Sequence, residues 1–509
     1  MGQNVSLKNP GVMSTQPPIP LWHHAADDER KLESLLLNRV QNLDWYYFFF
    51  EESLDQVHPP SLSNLDQTPD HLLPVMELDQ LLRSIQWQST TDGNGYSLVF
   101  NPAMGASGSS GEDSAFEAFR SILLALRHQP GLGRNVLRRI FDSNEPSLPN
   151  KSTALEGMLG YFNRRTTKQR HKRYRKQINR GFRAKVDNVV ILAEGDSWFQ
   201  FPKIGPLKPV KDIVHHLNQR ANFLVYPLAA GGDWLSNMLY TEEYIEALPR
   251  VAPDVLIFSG GGNDLVGGHR LASMLYPFHR VKADGDKDFS TDSEANLRRR
   301  LHALREKTLG SNPYEWERYR RGLRFLRPEF FLYLNHCFAQ YYLLLLHLQH
   351  HQLYQEIAFI THGYDFGIPQ DRNGTRWRNP LRFVVNHSLR TGRWLYEPMM
   401  RLGITQAEDQ QAILFVIIHE FNEMLINLLR ISPCGCIHYH VDCRGVTKGK
   451  TDPWFDELHP KSKIFKKVAD GFAKVIQEQK RSSQAQGHHR IYRVAEGRFE
   501  DVERWGESF

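Results

Sequence analysis

Cysteine is nearly missing from this chain: there are four in 509 residues, Cys337, Cys434, Cys436 and Cys443. So few thiols exclude a disulfide scaffold and fit a reducing compartment. Cys434, Cys436, His438, His440 and Cys443 cluster in sequence, but without the paired C-x-x-C spacing of structural zinc sites. Ile437–Val441 also reads as a strand, on which successive residues face opposite sides. No metal and no cofactor is therefore expected. Long apolar runs are missing too. The nearest candidate for a membrane span, Phe330–Leu348, is broken by Asn335, His336, Gln340 and His347, so a buried helix is predicted there. The first thirty residues lack a basic stretch followed by an apolar one. No secretory signal is read, and a cytoplasmic protein is the expectation.

Acid is absent from one segment. Between Arg164 and Lys185 stand eleven Lys and Arg and no Asp or Glu. Removing those eleven from the 63 basic residues leaves 52 against 57 acidic ones, so the net charge of +6 is one local block. Within it Tyr174, Ile178 and Phe182 recur at i, i+4 and i+8, a narrow apolar stripe on a helix. Three readings fit the block: a solvated helix packed on the next domain, a contact with anionic lipid headgroups, or a contact with a nucleic-acid backbone.

A chain this long exceeds one ordinary domain. Residues 1–30, rich in Pro and polar groups, read as a disordered tail. Residues 31–160 read as a mainly helical region, with helices over Glu29–Leu54, Ser114–Arg127 and Asn135–Phe141 and a flexible Gly105–Gly111 stretch. The aromatic run Trp45–Phe50 reads as the core of that region, with a membrane interface as the alternative. Residues 161–186 form a basic helical linker, and 481–509 read as a C-terminal tail. Between them the pattern changes to short continuous apolar runs: Val189–Ala193, Phe223–Tyr226, Val255–Phe258, Ile357–Ile360 and Ile437–Val441. Helical segments separate these runs. Buried apolar strands alternating with helices make an α/β fold with a parallel sheet covered on both faces.

Three short motifs follow that pattern: Gly195-Asp196-Ser197, Gly261-Gly262-Asn263-Asp264 and Asp456-Glu457-Leu458-His459-Pro460. They supply a serine, an amide, a carboxylate and an imidazole. A serine hydroxyl becomes a nucleophile when a histidine takes its proton and an acid orients that histidine. Backbone N–H groups and an Asn amide can then bind the oxyanion. Ser197 and Asn263 directly follow apolar runs, at the carboxyl ends of strands where ligands bind in such sheets. His362 and Asp365 follow a strand of the same sheet and, with Trp198, are candidate pocket residues. Asp264 reads as a structural loop residue, and Pro460 suits the first turn of a helix through Ile464, Val468 and Phe472.

In these blocks the chain resembles the SGNH hydrolases, the GDSL-like esterase/lipase superfamily. The first block matches Gly195–Ser197, with Trp198 where many members carry Leu. The second matches Leu228–Asp233 and the third Gly261–Asp264. The last is Asp456–His459. The resemblance covers about residues 187–480, with an insertion at about 265–355, and the order of blocks is that of sparsely characterised bacterial members. It implies a flavodoxin-like three-layer α/β/α sandwich. It also implies Ser197 as nucleophile, His459 as base, Asp456 as its orienting acid, and an oxyanion hole of Ser197, Gly232 and Asn263. The substrate would be an ester: an acyl lipid, a short acyl ester or an O-acetylated sugar. The α/β-hydrolase elbow, Gly-x-Ser-x-Gly, fails because Phe199 follows Trp198. The alternative of another class is an inactive module of the same fold that binds anionic membrane or nucleic acid through 164–185.

Overall fold

A computed structural model describes residues 85–89, 96–100, 153–201, 210–482 and 489–502, with internal gaps that include 267–269, 285–291, 371–393 and 433–436 and parts of 236–242 and 328–356. The tail 1–30, the three helices expected before residue 142 and the Gly105–Gly111 stretch lie outside the described residues. What is described there is an antiparallel ribbon of β1 (Ile85–Ser89) and β2 (Tyr96–Phe100), with Trp87 opposite Leu98. A strand pair was not anticipated in that region.

The main sheet is mostly parallel and seven-stranded. Its strands are β3 (Val189–Gly195), β4 (Phe223–Pro227), β5 (Val255–Ser259), β6 (Ala358–His362), β7 (His438–Asp442), β8 (His489–Arg493) and β9 (Arg498–Asp501), in the order β4-β3-β5-β6-β7-β8-β9. From β3 onward the first five run 2-1-3-4-5, a doubly wound order whose switch point lies at β3. Strands β3 to β7 are buried at every position, which explains their unbroken apolar character. Residues 481–509, expected as a tail, instead include β8, parallel to β7, and the antiparallel edge strand β9. The charges of β8 hid it: Arg490 pairs with Glu478, and Arg493 pairs with Asp442 and Glu500.

The described helices, in chain order, are α1 (Thr153–Ile178), α2 (Ile213–Leu217), α3 (Glu243–Val251), α4 (Gly262–Val266), α5 (Arg270–Ser273), α6 (Phe278–Asp284), α7 (Asp292–Leu309), α8 (Pro313–Leu323), α9 (Tyr396–Arg401), α10 (Ala407–Arg430) and α11 (Ser462–Ser482). Of the stretch 265–355, expected as a helical insertion, the described residues include α5 to α8. Within 330–348, Phe330, Tyr333, Leu334, Cys337, Phe338 and Tyr341 are buried at helical spacing. Helix α10 is long and apolar enough to cross a membrane, yet 89% of its most apolar window is buried inside the fold. It is a core helix, tied to α7 by a buried Arg305–Glu420 pair with two contacts of 2.8 Å.

The basic block is helical up to Ile178 and packs on the sheet domain. Tyr174 is buried, while Ile178 and Phe182 are partly buried against the core. Arg170 grips Asp212 with two 2.6 Å contacts and donates to the Phe199 carbonyl at 2.9 Å. His171 bonds the Pro227 carbonyl at 2.8 Å and stacks on Tyr226. Farther along, Arg183 donates to the carbonyls of Val251 and Ala252. The helix therefore runs antiparallel to the strands, with residues 164–171 at their carboxyl ends.

Candidate active site

Three loops meet at the switch point. Ser197 sits in the turn after β3, Gly232 in the loop after β4, and Asn263 in the first turn of α4, which follows β5. The turn that carries Ser197 is tight because Gly195 passes directly over β5. A Cβ on Gly195 would lie 2.8 Å from the Ser259 Cβ. Asp196 closes the turn, accepting from the Trp198 N–H at 2.9 Å.

The fourth loop comes from between β7 and α11. His459 Nε2 lies 2.6 Å from Ser197 Oγ, and its Nδ1 lies 2.9 Å from both oxygens of Asp456. An ionised carboxylate only accepts, so the arrangement assigns the proton to Nδ1 and leaves the Nε2 lone pair for the serine hydroxyl. Asp456 is fully buried, and one of its oxygens also accepts from the Leu458 and His459 N–H groups at 2.8 and 2.7 Å. The carboxylate thus shapes the very loop that carries the imidazole. Pro460 is not in the helix but two residues before it, bridged to Trp454.

Gly232 has φ +86° with open space where a Cβ would be, so its backbone conformation, not crowding, favours glycine. Asn263 donates one amide hydrogen to the Asp233 carbonyl at 2.7 Å, which couples the second and third motifs. Asp264, expected in a loop, lies in α4, is buried and accepts from the Leu235 N–H at 2.9 Å.

A cavity open to solvent lies over Ser197, Asn263 and His459. Leu265, Leu395, Leu414, Ile417, Ile418 and Leu458 give it aliphatic walls. Trp198 lines it too, and its indole N–H reaches the Leu458 carbonyl at 3.2 Å, joining the serine turn to the histidine loop. Asp365 borders the cavity, but its carboxylate is engaged by the Gly445 and Thr447 N–H groups and the Thr447 hydroxyl at 2.7 to 2.8 Å. Burial pushes its pKa up.

His362 does not line the cavity. It is fully buried beneath Trp198, with Nε2 2.6 Å from Ser259 Oγ and Nδ1 2.8 Å from the Gly363 carbonyl. Desolvation lowers its pKa to about 4, so it stays neutral. Ser259 also contacts Asp196 at 3.1 Å, and Tyr364 donates to the other oxygen of Asp196 at 2.6 Å. Burial raises the pKa of Asp196.

Sequence reasoning passed over Glu457, although it lies inside a motif. It is fully buried and accepts from the N–H groups of Tyr396 (2.8 Å), Gln370 (3.3 Å), Trp394 (3.3 Å) and Leu395 (3.4 Å). It therefore pins two stretches of cavity wall to the histidine loop. A second carboxylate within the motif was the available signal. Its four backbone partners are distant in sequence and left none.

Among the described residues no group of three or more His, Cys, Asp or Glu is placed to hold a metal ion. His438 and His440 share Thr361 Oγ1 at 3.4 and 3.1 Å in the sheet core, while Cys434 and Cys436 fall outside the described residues.

No protein family and no curated protein matches this chain. Among solved structures it is similar to a protein from Parabacteroides merdae provisionally named a GDSL-like lipase. The identity is 11% and the TM-score 0.28, over 57% of this chain and 96% of that one. A likeness that distant leaves the function of the chain to its own residues.

Proposed function

We propose that the protein is a serine hydrolase of the SGNH type, on a flavodoxin-like three-layer sandwich, that cleaves a carboxylic ester through an acyl-enzyme on Ser197. The observation that carries this reading is the unbroken line Ser197 Oγ–His459 Nε2, His459 Nδ1–Asp456, opening on an aliphatic cavity. His459 takes the hydroxyl proton as Ser197 attacks the acyl carbon. The tetrahedral oxyanion is bound by the N–H groups of Ser197 and Gly232 and by the amide of Asn263. His459 then gives its proton to the departing alcohol, and water repeats the sequence to free the acid. Asp456 holds the imidazole in the tautomer both halves require.

The substrate is an ester of an acyl lipid, a short acyl ester or an O-acetylated sugar, and the aliphatic walls favour an acyl chain in the cavity over a sugar. Turnover of p-nitrophenyl esters from acetyl to palmitoyl tests this, together with labelling by a fluorophosphonate. Activity at some chain length, with labelling that Ser197→Ala abolishes, supports the reading. Zero turnover at every length and no Ser197-dependent label would overturn it.

A further inference from the structure

Among the described residues, most of the cations on helix α1 have no ion-pair partner. Arg170 and Arg173 bond the sheet domain. Arg164, Arg165, Lys168, Lys172, Arg175 and Lys176 are exposed, and none has an ion-pair partner among the described residues. At 100° and 1.5 Å per residue these six fall within an arc of about 120° along about 18 Å of axis. The arc faces solvent, opposite the face where Arg170 and Tyr174 dock. The result is a straight cationic ridge with no carboxylate interleaved. It begins at the site end of the sheet: Thr167, between Arg164 and Lys168 on the helix, exchanges hydrogen bonds with Gln200, three residues past the nucleophile.

We infer that this ridge seats the protein on an anionic lipid surface. The apolar stripe of the helix is turned inward, so the contact is electrostatic and lies on the headgroups without insertion. A flat array of headgroups suits a convex ridge. A single-stranded nucleic acid is the poorer fit, because such strands are held by stacking bases on exposed aromatics, whereas Tyr174 is buried and Phe182 is partly buried. The choice of lipid over nucleic acid also rests on the ester-hydrolase reading, since a cavity with aliphatic walls at the same, carboxyl end of the sheet gives a lipid surface a purpose.

Sedimentation of the full chain with phosphatidylcholine vesicles, with and without phosphatidylglycerol, tests the inference. The companion is the variant R164Q/K168Q/K172Q/K176Q. The wild type should pellet with the phosphatidylglycerol vesicles alone and be released by salt. Partitioning should fall roughly fivefold for each cation removed. Equal pelleting with both vesicle types, no pelleting, or an unchanged variant would each overturn it. So would a mixed-sequence duplex or single strand that strips the protein from the vesicles and is bound more tightly than they are, in favour of a nucleic-acid partner. Turnover of a soluble p-nitrophenyl ester should be unchanged in the variant, with an unchanged melting temperature as a check on folding. If the wild type turns over no ester while the vesicle result holds, the hydrolase reading fails and the lipid contact stands.

Discussion

Two serine–histidine pairs lie side by side at the carboxyl ends of β3 and β5, each with a 2.6 Å Oγ–Nε2 contact. Ser197–His459 borders the cavity and has a carboxylate on Nδ1. Ser259–His362 is sealed in the core and has a carbonyl on Nδ1. The contact itself is therefore no sign of catalysis. A carboxylate on the far nitrogen stabilises the imidazolium that must form, whereas a carbonyl fixes the tautomer but leaves a buried charge poorly compensated. Burial holds His362 near a pKa of about 4, and no substrate can reach Ser259. In the proposed reaction the first pair moves a proton. The second is built to keep one still, under the turn that carries Ser197.

Making the Ser197–His459 pair resemble the buried one should have the largest effect. Asp456→Asn keeps the shape and removes the charge, so His459 loses both its tautomer and its stabilised cation. Turnover of the best p-nitrophenyl ester should fall about 10⁴-fold, with KM little changed, as measured by steady-state kinetics. A loss below tenfold would mean that the acid is decorative and that the two pairs differ only in access. Next comes the proposed oxyanion donor. Asn263→Ala should lower kcat by roughly a hundred- to a thousandfold. The same change also removes the contact to the Asp233 carbonyl, so a melting temperature shows whether the loop has moved as well.

How much of this contrast the sequence held depends on what made each element. The strands β3 to β7 were readable because a strand buried on both faces has no polar alternation to confuse it, as in Val189–Ala193. Ser197, Asn263 and His459 were readable because each is locked to a short local motif. Ser259–His362 was invisible, since Phe-Ser-Gly and Thr-His-Gly are ordinary tripeptides that meet only through the pairing of β5 with β6. Strand β8 was masked by charges whose partners are remote in sequence. The ribbon of β1 and β2 did leave a mark, Asp92-Gly93-Asn94-Gly95 between two alternating stretches, a hairpin signal that a helical expectation overlooked.

A third prediction concerns the buried histidines that the site does not use. His440 is fully buried, and desolvation lowers its pKa to about 3. A depressed histidine contributes stability that is complete above the unfolded value near 6.5 and is lost as pH falls toward the folded one. His362 and His438 act in the same direction. Glu194 acts oppositely: burial, with Asp233 and Glu243 nearby, holds its pKa well above normal, so its contribution is lost as pH rises. Below pH 6.5 three histidines face this one strongly raised acid, and the net result should be a loss of stability on acidification. Denaturant unfolding at a series of pH values measures it. His440→Asn should flatten the slope by about 1.4 kcal/mol per pH unit between its unfolded and folded pKa values. An unchanged slope would mean that His440 titrates normally.

The smallest effect should come from breaking the second pair. Ser259→Ala leaves His362 Nε2 buried without its hydroxyl and removes one contact to Asp196, which keeps the Trp198 N–H and the Tyr364 hydroxyl. An unsatisfied buried nitrogen costs about 1–3 kcal/mol, visible as a lower melting temperature. Activity should stay within a few fold, and fluorophosphonate labelling should be undiminished, since the Ser197–His459–Asp456 line has no atom in common with the lost contact. If Ser259→Ala instead cost turnover as heavily as Asn263→Ala while melting normally, the buried pair would be acting through Asp196 on the nucleophile turn. The line between a proton-moving pair and a supporting one would then have to be redrawn around Asp196.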